Sequence, residues 1–263
     1  MRILALVPGG ISDQLLFFPA LEDIKQAYQN AEIGVVVEPK ATAAYRVSKI
    51  VDTVIPFTFS AANSPSDWAN LLGLVRDREY EVAITTDLTW PMGLLLWLSG
   101  VPTRITYNST SVPFFYTATV PDRAKAESAY QAERYHDLLK AISLNGPAPQ
   151  LAVNVPEGDL AWAKDLRQRL SLDSGYVLMY PGQATGRAET KAQYPLASWQ
   201  ALIADFRAKQ PDMPIVLLKT EGSAEQANAL KMADTQLIVA PADNLGQAAA
   251  VIAGANLVLT PDS

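Results

Sequence analysis

Short apolar runs alternate with amphipathic segments along this chain of 263 residues. The first run, Ile3 to Val7, is continuously apolar and predicts a strand that is buried on both faces. The next segment places Phe17, Leu21 and Ile24 on one face of a helix. A proline–glycine turn at residues 8–10 joins the two, so the chain begins as the opening half of a βαβ unit.

The same alternation continues to the end of the chain. Further strands are predicted at residues 32–37, 52–57, 81–85, 104–107, 176–180, 215–218, 236–239 and 257–260. Helices are predicted at residues 42–49, 64–75, 91–98, 124–142, 157–172, 196–206, 223–232 and 245–252. Strands separated by helices are typical of parallel sheets with right-handed crossovers. The pattern therefore predicts an α/β fold.

Residues 91–98 and the stretch between the strands and helices at 108–122 need separate interpretation. Residues 91–98 are apolar on every side, which predicts a buried helix. Residues 108–122 are less regular and contain Phe114-Phe115-Tyr116, so we expect a packed loop; the alternative is an acceptor-facing loop with exposed aromatic side chains.

The clearest break in the pattern is Asn145-Gly146-Pro147-Ala148-Pro149. After it the alternation restarts, and the strand at 176–180 is followed by its own glycine turn, Pro181-Gly182. We therefore predict two Rossmann-like domains, residues 1–154 and residues 155–263, that face each other across a cleft. Such clefts are common sites for small ligands.

Composition narrows the class of protein. The chain is 49% hydrophobic and 18% charged, as in globular proteins, and its net charge of -6 without a long basic block argues against nucleic-acid binding. It has no cysteine, which excludes disulfides and thiolate metal sites, and the single histidine, His136, excludes a histidine-rich zinc site. His136 lies close to the apolar face of its predicted helix and is expected in the core or at its boundary.

Features of export are not visible in the sequence. Met1 and Arg2 lead directly into the first strand, without a signal peptide, and the longest apolar stretch is too short to span a bilayer. We therefore expect a cytoplasmic protein.

The turn after the first strand carries the candidate chemistry. Open α/β sheets bind ligands at the carboxyl ends of their strands, and two glycines allow the backbone to approach a ligand. Asp13 adds a carboxylate there, but Ser12 and Asp13 are also common helix-capping residues. From this stretch alone the capping role is the simpler interpretation. The turn lacks the three spaced glycines of a dinucleotide-binding fingerprint.

Several segments, in order, carry a resemblance to a known family. They are Met1–Leu4, Ser12-Asp13, Pro19–Leu21, Ala27–Ala31, Val51–Ile55, Arg78–Ile84, Leu98–Ile105, Tyr180–Gly182, Lys191, Tyr194-Pro195, Trp199 and Leu259–Ser263. Over nearly its whole length the chain resembles glycosyltransferase family 9, the ADP-heptose:lipopolysaccharide heptosyltransferases. The resemblance implies a GT-B fold and inverting transfer from a nucleotide diphosphate sugar, with no essential metal and no cofactor.

On the acceptor side, the resemblance makes Asp13 the general base, with Gly9, Gly10 and Ser12 around it. An inverting transfer needs one base to take the proton of the attacking hydroxyl. The family usually has glycine where this chain has Ser12, which makes the turn less permissive. With the resemblance added, the base is favoured over the cap, and the two roles are compatible.

On the donor side, the resemblance places Lys191 at the phosphates, where the alternative is a solvated loop lysine. Gly182, Thr185 and Gly186 would supply the backbone around the phosphates. Glu221 or Glu225 would bind the ribose, or else be surface glutamates, and Asp262 would open the donor-facing loop.

The chain ends at Ser263, inside that loop motif, so the resemblance predicts an incomplete second domain. Either the sequence is a fragment of a longer protein or it is a decayed family member, and its last strand would leave apolar surface exposed. The implied partners are an ADP-heptose-like donor and a glycolipid or glycan acceptor, with peripheral membrane contact at the inner face. The alternative function is a non-catalytic, two-domain nucleotide or sugar binder.

Overall fold

A computed structural model of the protein describes residues 1–59, 63–123, 130–182 and 194–261. The chain forms two compact units, Met1–Asn154 and Val155–Ser263. Within the described ranges, each unit contains one parallel sheet with helices packed on it. This is the α/β architecture that the alternation of strands and helices predicts.

The first unit contains a six-stranded parallel sheet in the order β3-β2-β1-β4-β5-β6. Its strands are β1 (Arg2–Val7), β2 (Glu32–Val37), β3 (Thr53–Pro56), β4 (Val82–Thr85), β5 (Thr103–Tyr107) and β6 (Ala118–Val120). Its α-helices are α1 (Ile11–Ala27), α2 (Pro65–Asp77), α3 (Trp90–Ser99) and α4 (Gln131–Asp137). Short 3-10 helices lie at Pro39–Val47, Pro113–Phe115 and Leu138–Ile142.

The central strand β1 is buried on both faces, as its apolar run predicts. Leu4 and Leu6 pack in one core cluster with Leu71 of α2 and Leu95 of α3. The residues between them point to the opposite face, because successive strand side chains alternate. Helices therefore cover the first sheet on two sides, which is the doubly wound arrangement.

The second unit contains a four-stranded parallel sheet in the order β10-β7-β8-β9. Its strands are β7 (Val177–Met179), β8 (Ile215–Lys219), β9 (Ile238–Pro241) and β10 (Leu257–Leu259), and a 3-10 turn lies at Glu221–Ser223. Its helices are α5 (Glu157–Arg169), α6 (Leu196–Lys209), α7 (Ala224–Ala233) and α8 (Leu245–Ala253). Separate clusters pack on the two faces of this sheet. On β10, Leu257 and Val258 are exposed.

Two predicted helices differ from the structure. The helix predicted at 42–49 is a 3-10 helix over Pro39–Val47, in which the Thr42 hydroxyl donates to the Pro39 carbonyl at 2.7 Å. The helix predicted at 124–142 is α only over Gln131–Asp137 and continues as a 3-10 helix; residues 124–129 lie outside the described ranges.

Two further predictions are wrong in part. The helix predicted to be buried, α3, covers the sheet with Met92, Leu95 and Leu96, while Trp97 and Leu98 are exposed. An all-apolar helix gives no sequence pattern from which to tell its covered side from its open side. The loop predicted at 108–122 contains β6, a three-residue strand that is too short to show a period of two.

Candidate functional site

The carboxyl edge of the first sheet contains a topological switch point. Strand β1 lies between β2 and β4, so the chain leaves β1 toward one side of the sheet and leaves β4 toward the other. Loops that diverge in this way open a crevice, and open α/β sheets bind ligands there. Residues 8–10 and 86–89 are the two loops that flank this crevice.

Asp13 sits at this switch point, in the first turn of α1. Its Oδ2 atom accepts a hydrogen bond from the Gly10 backbone N–H at 2.9 Å. Its Oδ1 atom accepts one from the Tyr135 hydroxyl at 3.0 Å. The residue that caps the helix is Gly10, and not Ser12 or Asp13 as their residue types suggest, although the Asp13 carboxylate does satisfy the cap's N–H.

Gly9 is required by the acid beside it. Its φ of +111° lies in the left-handed region, and a Cβ at this position would collide with the Asp13 carboxylate. Gly10 has open space where its Cβ would be. The first glycine of the turn therefore makes room for the carboxylate.

A buried glutamine also stabilises the turn between β1 and α1. Gln14 is fully buried, and its Nε2 donates to the Val7 carbonyl at 2.8 Å. Its Oε1 accepts from the Tyr45 hydroxyl, also at 2.8 Å. Burial raises the pKa of Tyr45 well above its ordinary value, so this hydroxyl keeps its proton and donates. These bonds tie the end of β1 to the first turn of α1.

Tyr135 is a site residue that the sequence did not indicate. It lies on α4, 122 positions from Asp13, and its ring packs against Phe17 with the ring centroids 5.6 Å apart. Burial, with a smaller contribution from the Asp13 carboxylate, raises the pKa of Tyr135 to about 12. The hydroxyl is therefore protonated at neutral pH and donates to Asp13. The sequence indicates only that Tyr135 lies on the apolar side of a predicted helix, which is consistent with burial.

His136, next to Tyr135, is a core residue, as its helical position predicts. It is 3% exposed, and its Nε2 lies 2.8 Å from the Asp23 Oδ2 on α1. Together with the Tyr135–Asp13 bond, this contact joins α4 to α1 at two successive positions.

A second carboxylate, Asp87, follows β4 at the same switch point, and no sequence motif indicated it. It is 8% exposed, and its Oδ1 accepts from the Thr89 N–H at 2.8 Å. The Tyr116 hydroxyl lies near enough that the Asp87 charge adds to burial in raising the pKa of Tyr116. Within the described ranges this hydroxyl has no hydrogen-bond partner. A Thr-Thr-Asp run after a predicted strand was the available clue.

The second unit contains the donor-side residues that the resemblance implies. Gly182 follows β7 with φ +89°, a conformation that suits glycine. Glu221 follows the neighbouring strand β8, and Glu225 lies in the first turn of α7; both are exposed. The remaining donor-side residues, Thr185, Gly186, Lys191 and Asp262, lie outside the described residues.

Metal-ion sites and membrane-spanning helices are both absent from the described residues. No group of three or more histidine, aspartate or glutamate side chains in those ranges is arranged to hold a metal ion. In the same ranges, no helix combines the length and apolarity that crossing a bilayer requires.

Two successive Rossmann-like units with parallel sheets are typical of the GT-B fold. Three solved structures of heptosyltransferases or family 9 proteins have folds similar to that of this chain. Escherichia coli ADP-heptose LPS heptosyltransferase II matches with TM-score 0.78 and 20% identity, over 100% of this chain and 80% of that chain. A family 9 glycosyl transferase from Veillonella parvula matches with TM-score 0.81 and 19% identity, over 98% and 75%. E. coli heptosyltransferase WaaC with ADP matches with TM-score 0.70 and 22% identity, over 100% and 82%.

The chain belongs to glycosyltransferase family 9 (heptosyltransferase), whose sequence model matches residues 68–263. The predicted fold class and family are thus confirmed, and the protein is of the glycosyltransferase class. Among curated proteins, the Arabidopsis thaliana photosynthetic NDH subunit of subcomplex B 1 is 24% identical over 88 residues. That match covers 33% of this chain and 19% of the length of the plant protein.

Proposed function

We propose that the protein is an inverting glycosyltransferase that moves a heptose-like sugar from a nucleotide diphosphate sugar to a cell-envelope glycan or lipopolysaccharide acceptor. The observation that carries the proposal is Asp13, a partly exposed carboxylate at the switch point of the first sheet. Membership of family 9 supplies the reaction class. WaaC, a relative by fold, has been solved with ADP and with ADP-2-deoxy-2-fluoro heptose, which supports an ADP-sugar donor.

Asp13 retains the capacity to act as the base. An ionised carboxylate has about four lone-pair positions. The Gly10 N–H and the Tyr135 hydroxyl occupy one on each oxygen. The remaining positions are available to an acceptor hydroxyl, whose proton Asp13 would take as the hydroxyl oxygen attacks the sugar.

The first unit would bind the acceptor beside Gly9, Gly10 and Ser12, and the second unit would bind the donor. Gly182, Thr185, Gly186, Lys191 and Asp262 would surround the diphosphate, and Glu221 or Glu225 would bind the ribose. A lysine and backbone N–H groups are suited to the charge that develops on a departing nucleoside diphosphate. Action without a metal, a cytoplasmic location and peripheral membrane contact remain predictions.

A non-catalytic role is the second candidate, and two observations favour it. The Asp13 carboxylate already has a structural use, since it satisfies the N-cap of α1. The curated relative is named as a subunit of a photosynthetic complex, not as a transferase. In this alternative the chain binds a nucleotide or sugar without turnover.

The substitution Asp13→Asn in the full-length protein separates the two functions. The amide oxygen still accepts the Gly10 N–H, but the side chain cannot take a proton. If Asp13 is the base, kcat should fall about 10²–10⁴-fold, while the affinity for ADP stays the same by calorimetry.

Asp67→Asn is the matched control, because Asp67 occupies the same position in α2 and accepts the Ser64 N–H at 2.9 Å. It should leave kcat unchanged. Full transfer activity in Asp13→Asn, or the same small loss in both variants, would contradict the role of the base.

A further inference from the structure

Helix α4 is short but firmly held in the first unit. The Tyr107 hydroxyl at the end of β5 donates to the Arg134 carbonyl at 2.9 Å. The Arg134 guanidinium pairs with Asp122 at 2.8 Å and lies over the Tyr107 ring, 4.8 Å from its centroid. At the C-terminal end of the helix, Asp137 pairs with Arg123 and with Lys140. A side chain on this helix consequently has little freedom to move.

The face of α4 that packs on α1 carries Tyr135. The tyrosine is 4% exposed, and its hydroxyl reaches Oδ1 of Asp13, while the Gly10 N–H holds Oδ2. Hydrogen-bond donors on both oxygens restrict rotation of the carboxylate about χ2, the terminal torsion of the side chain. In an aspartate without such donors, the values of this torsion are broadly distributed. The Asp13 carboxylate is thus held in one orientation by two elements that are remote from each other in sequence.

We propose that Tyr135 is a positioning residue for the base, and that its hydroxyl orients Asp13 toward the acceptor. The proposal rests on the proposed function. As the acceptor oxygen bonds to the anomeric carbon, its proton passes to Asp13, and the bond from that carbon to the nucleoside diphosphate breaks. The diphosphate leaves with the electron pair, and Tyr135 keeps its own proton throughout.

Orientation of the base has a measurable consequence. A hydrogen-bond donor to a carboxylate stabilises its charged form. Without the hydroxyl, the Asp13 carboxylate would keep only the Gly10 N–H and would rotate more freely. The variant should therefore react more slowly while it binds the donor as well as the wild type does, a separation of kcat from KM that a purely structural tyrosine would not produce.

Tyr135→Phe tests the proposal, because it keeps the ring on Phe17 and removes only the hydroxyl. In the full-length protein, kcat should fall about 10- to 100-fold with the donor KM unchanged. The NMR signal of the Tyr135 hydroxyl proton, which a bond to Asp13 slows in exchange, should be present in the wild type, absent in Tyr135→Phe and shifted in Asp13→Asn.

Tyr176→Phe is the control, since it removes another buried tyrosine hydroxyl, which donates to the Val251 carbonyl in the second unit. It should lower Tm without lowering kcat. A wild-type kcat in Tyr135→Phe would overturn the inference. A wild-type protein without transfer activity would instead overturn the proposed function, and the Tyr135 hydroxyl signal would still report whether Tyr135 donates to Asp13.

Discussion

At the residue scale, Asp13 shows how a helix cap and a candidate base share one carboxylate. Asp67 is its counterpart on α2, with the same 2.9 Å bond to the backbone N–H of the cap residue. Hydrogen bonds from Ser64 lower the pKa of Asp67, as expected for a capping acid. What distinguishes Asp13 is its surroundings, namely the switch point of the sheet and a tyrosine on its second oxygen.

The two glycines of the first turn should differ in their tolerance of alanine. Gly9→Ala places a Cβ at φ +111° against the Asp13 carboxylate, so we expect a loss of about 2 kcal/mol in the free energy of unfolding. Gly10→Ala meets no atom within 4 Å and should lose about 0.5–1 kcal/mol, the cost of an alanine cap. Urea unfolding measures both. Equal losses would show that Asp13 does not occupy the space above Gly9.

At the element scale, α4 is a short helix that is held in position by contacts with neighbouring elements. Its seven residues are too few for a stable isolated helix. Contacts with the rest of the first unit stabilise it, because Tyr135 packs on Phe17 of α1 while Tyr107, Asp122 and Arg123 bind its polar groups. Its α-helical part ends at Asp137, where Leu138 begins a 3-10 turn.

Acid should weaken the attachment of α4. Burial works to raise the pKa of Asp137, but hydrogen bonds from Arg123 and Lys140 outweigh it and lower that pKa. A lowered carboxyl pKa means that the stabilisation is complete above the ordinary value of about 4 and is lost as the pH falls through the folded-state value. Asp137→Asn should therefore lose about 2 kcal/mol at pH 7, and the Tm difference from wild type should shrink on acidification below about pH 4.

The exposed pair of Asp205 with Lys209, on α6, provides the control. Asp205→Asn should change Tm little at any pH, because exposed ion pairs contribute little. A Tm difference for Asp137→Asn that stays constant down to pH 2 would contradict the pairing.

At the scale of the whole molecule, the order of the strands in each sheet differs from their order along the chain. The strand at the N-terminus, β1, is central in its sheet, and the last described strand, β10, is an edge. In both units, the loops proposed to bind ligands leave the carboxyl ends of neighbouring strands. Parallel pairing collects these loops at one edge of each sheet, although they are far apart in sequence.

Amide hydrogen exchange should follow the order in the sheet. We expect β1, which is paired on both sides and fully buried from Ile3 to Val7, to be among the slowest segments to exchange. Strand β10, at a sheet edge with Leu257 and Val258 exposed, should exchange faster. Mass spectrometry of the exchanging protein resolves both segments. Rapid exchange of β1 would contradict its central place.

Many strands and helices of this fold could be predicted from the sequence, because each is specified by a pattern within a short stretch of residues. The apolar run of β1 and the Ser64-Pro65 start of α2 each predict an element that the structure contains. Short elements were not predicted correctly: β6 was assigned to a loop, and the type of the 3-10 helices was not recognised. Three to nine residues are too few to show a clear periodicity. The candidate base was also accessible, because a carboxylate after the first strand is visible in the sequence.

The sequence by itself determined the α/β class, the family and the position of Asp13, because these depend on periodicity and motifs within short stretches. Only the tertiary structure decided that Tyr135 holds Asp13, that Gly9 makes room for that acid and that Asp87 lies at the same switch point. These contacts join residues on separate elements, and strand order and helix packing bring them together. A one-dimensional pattern does not specify which elements meet, so the partners of a site residue become visible only when the chain is folded.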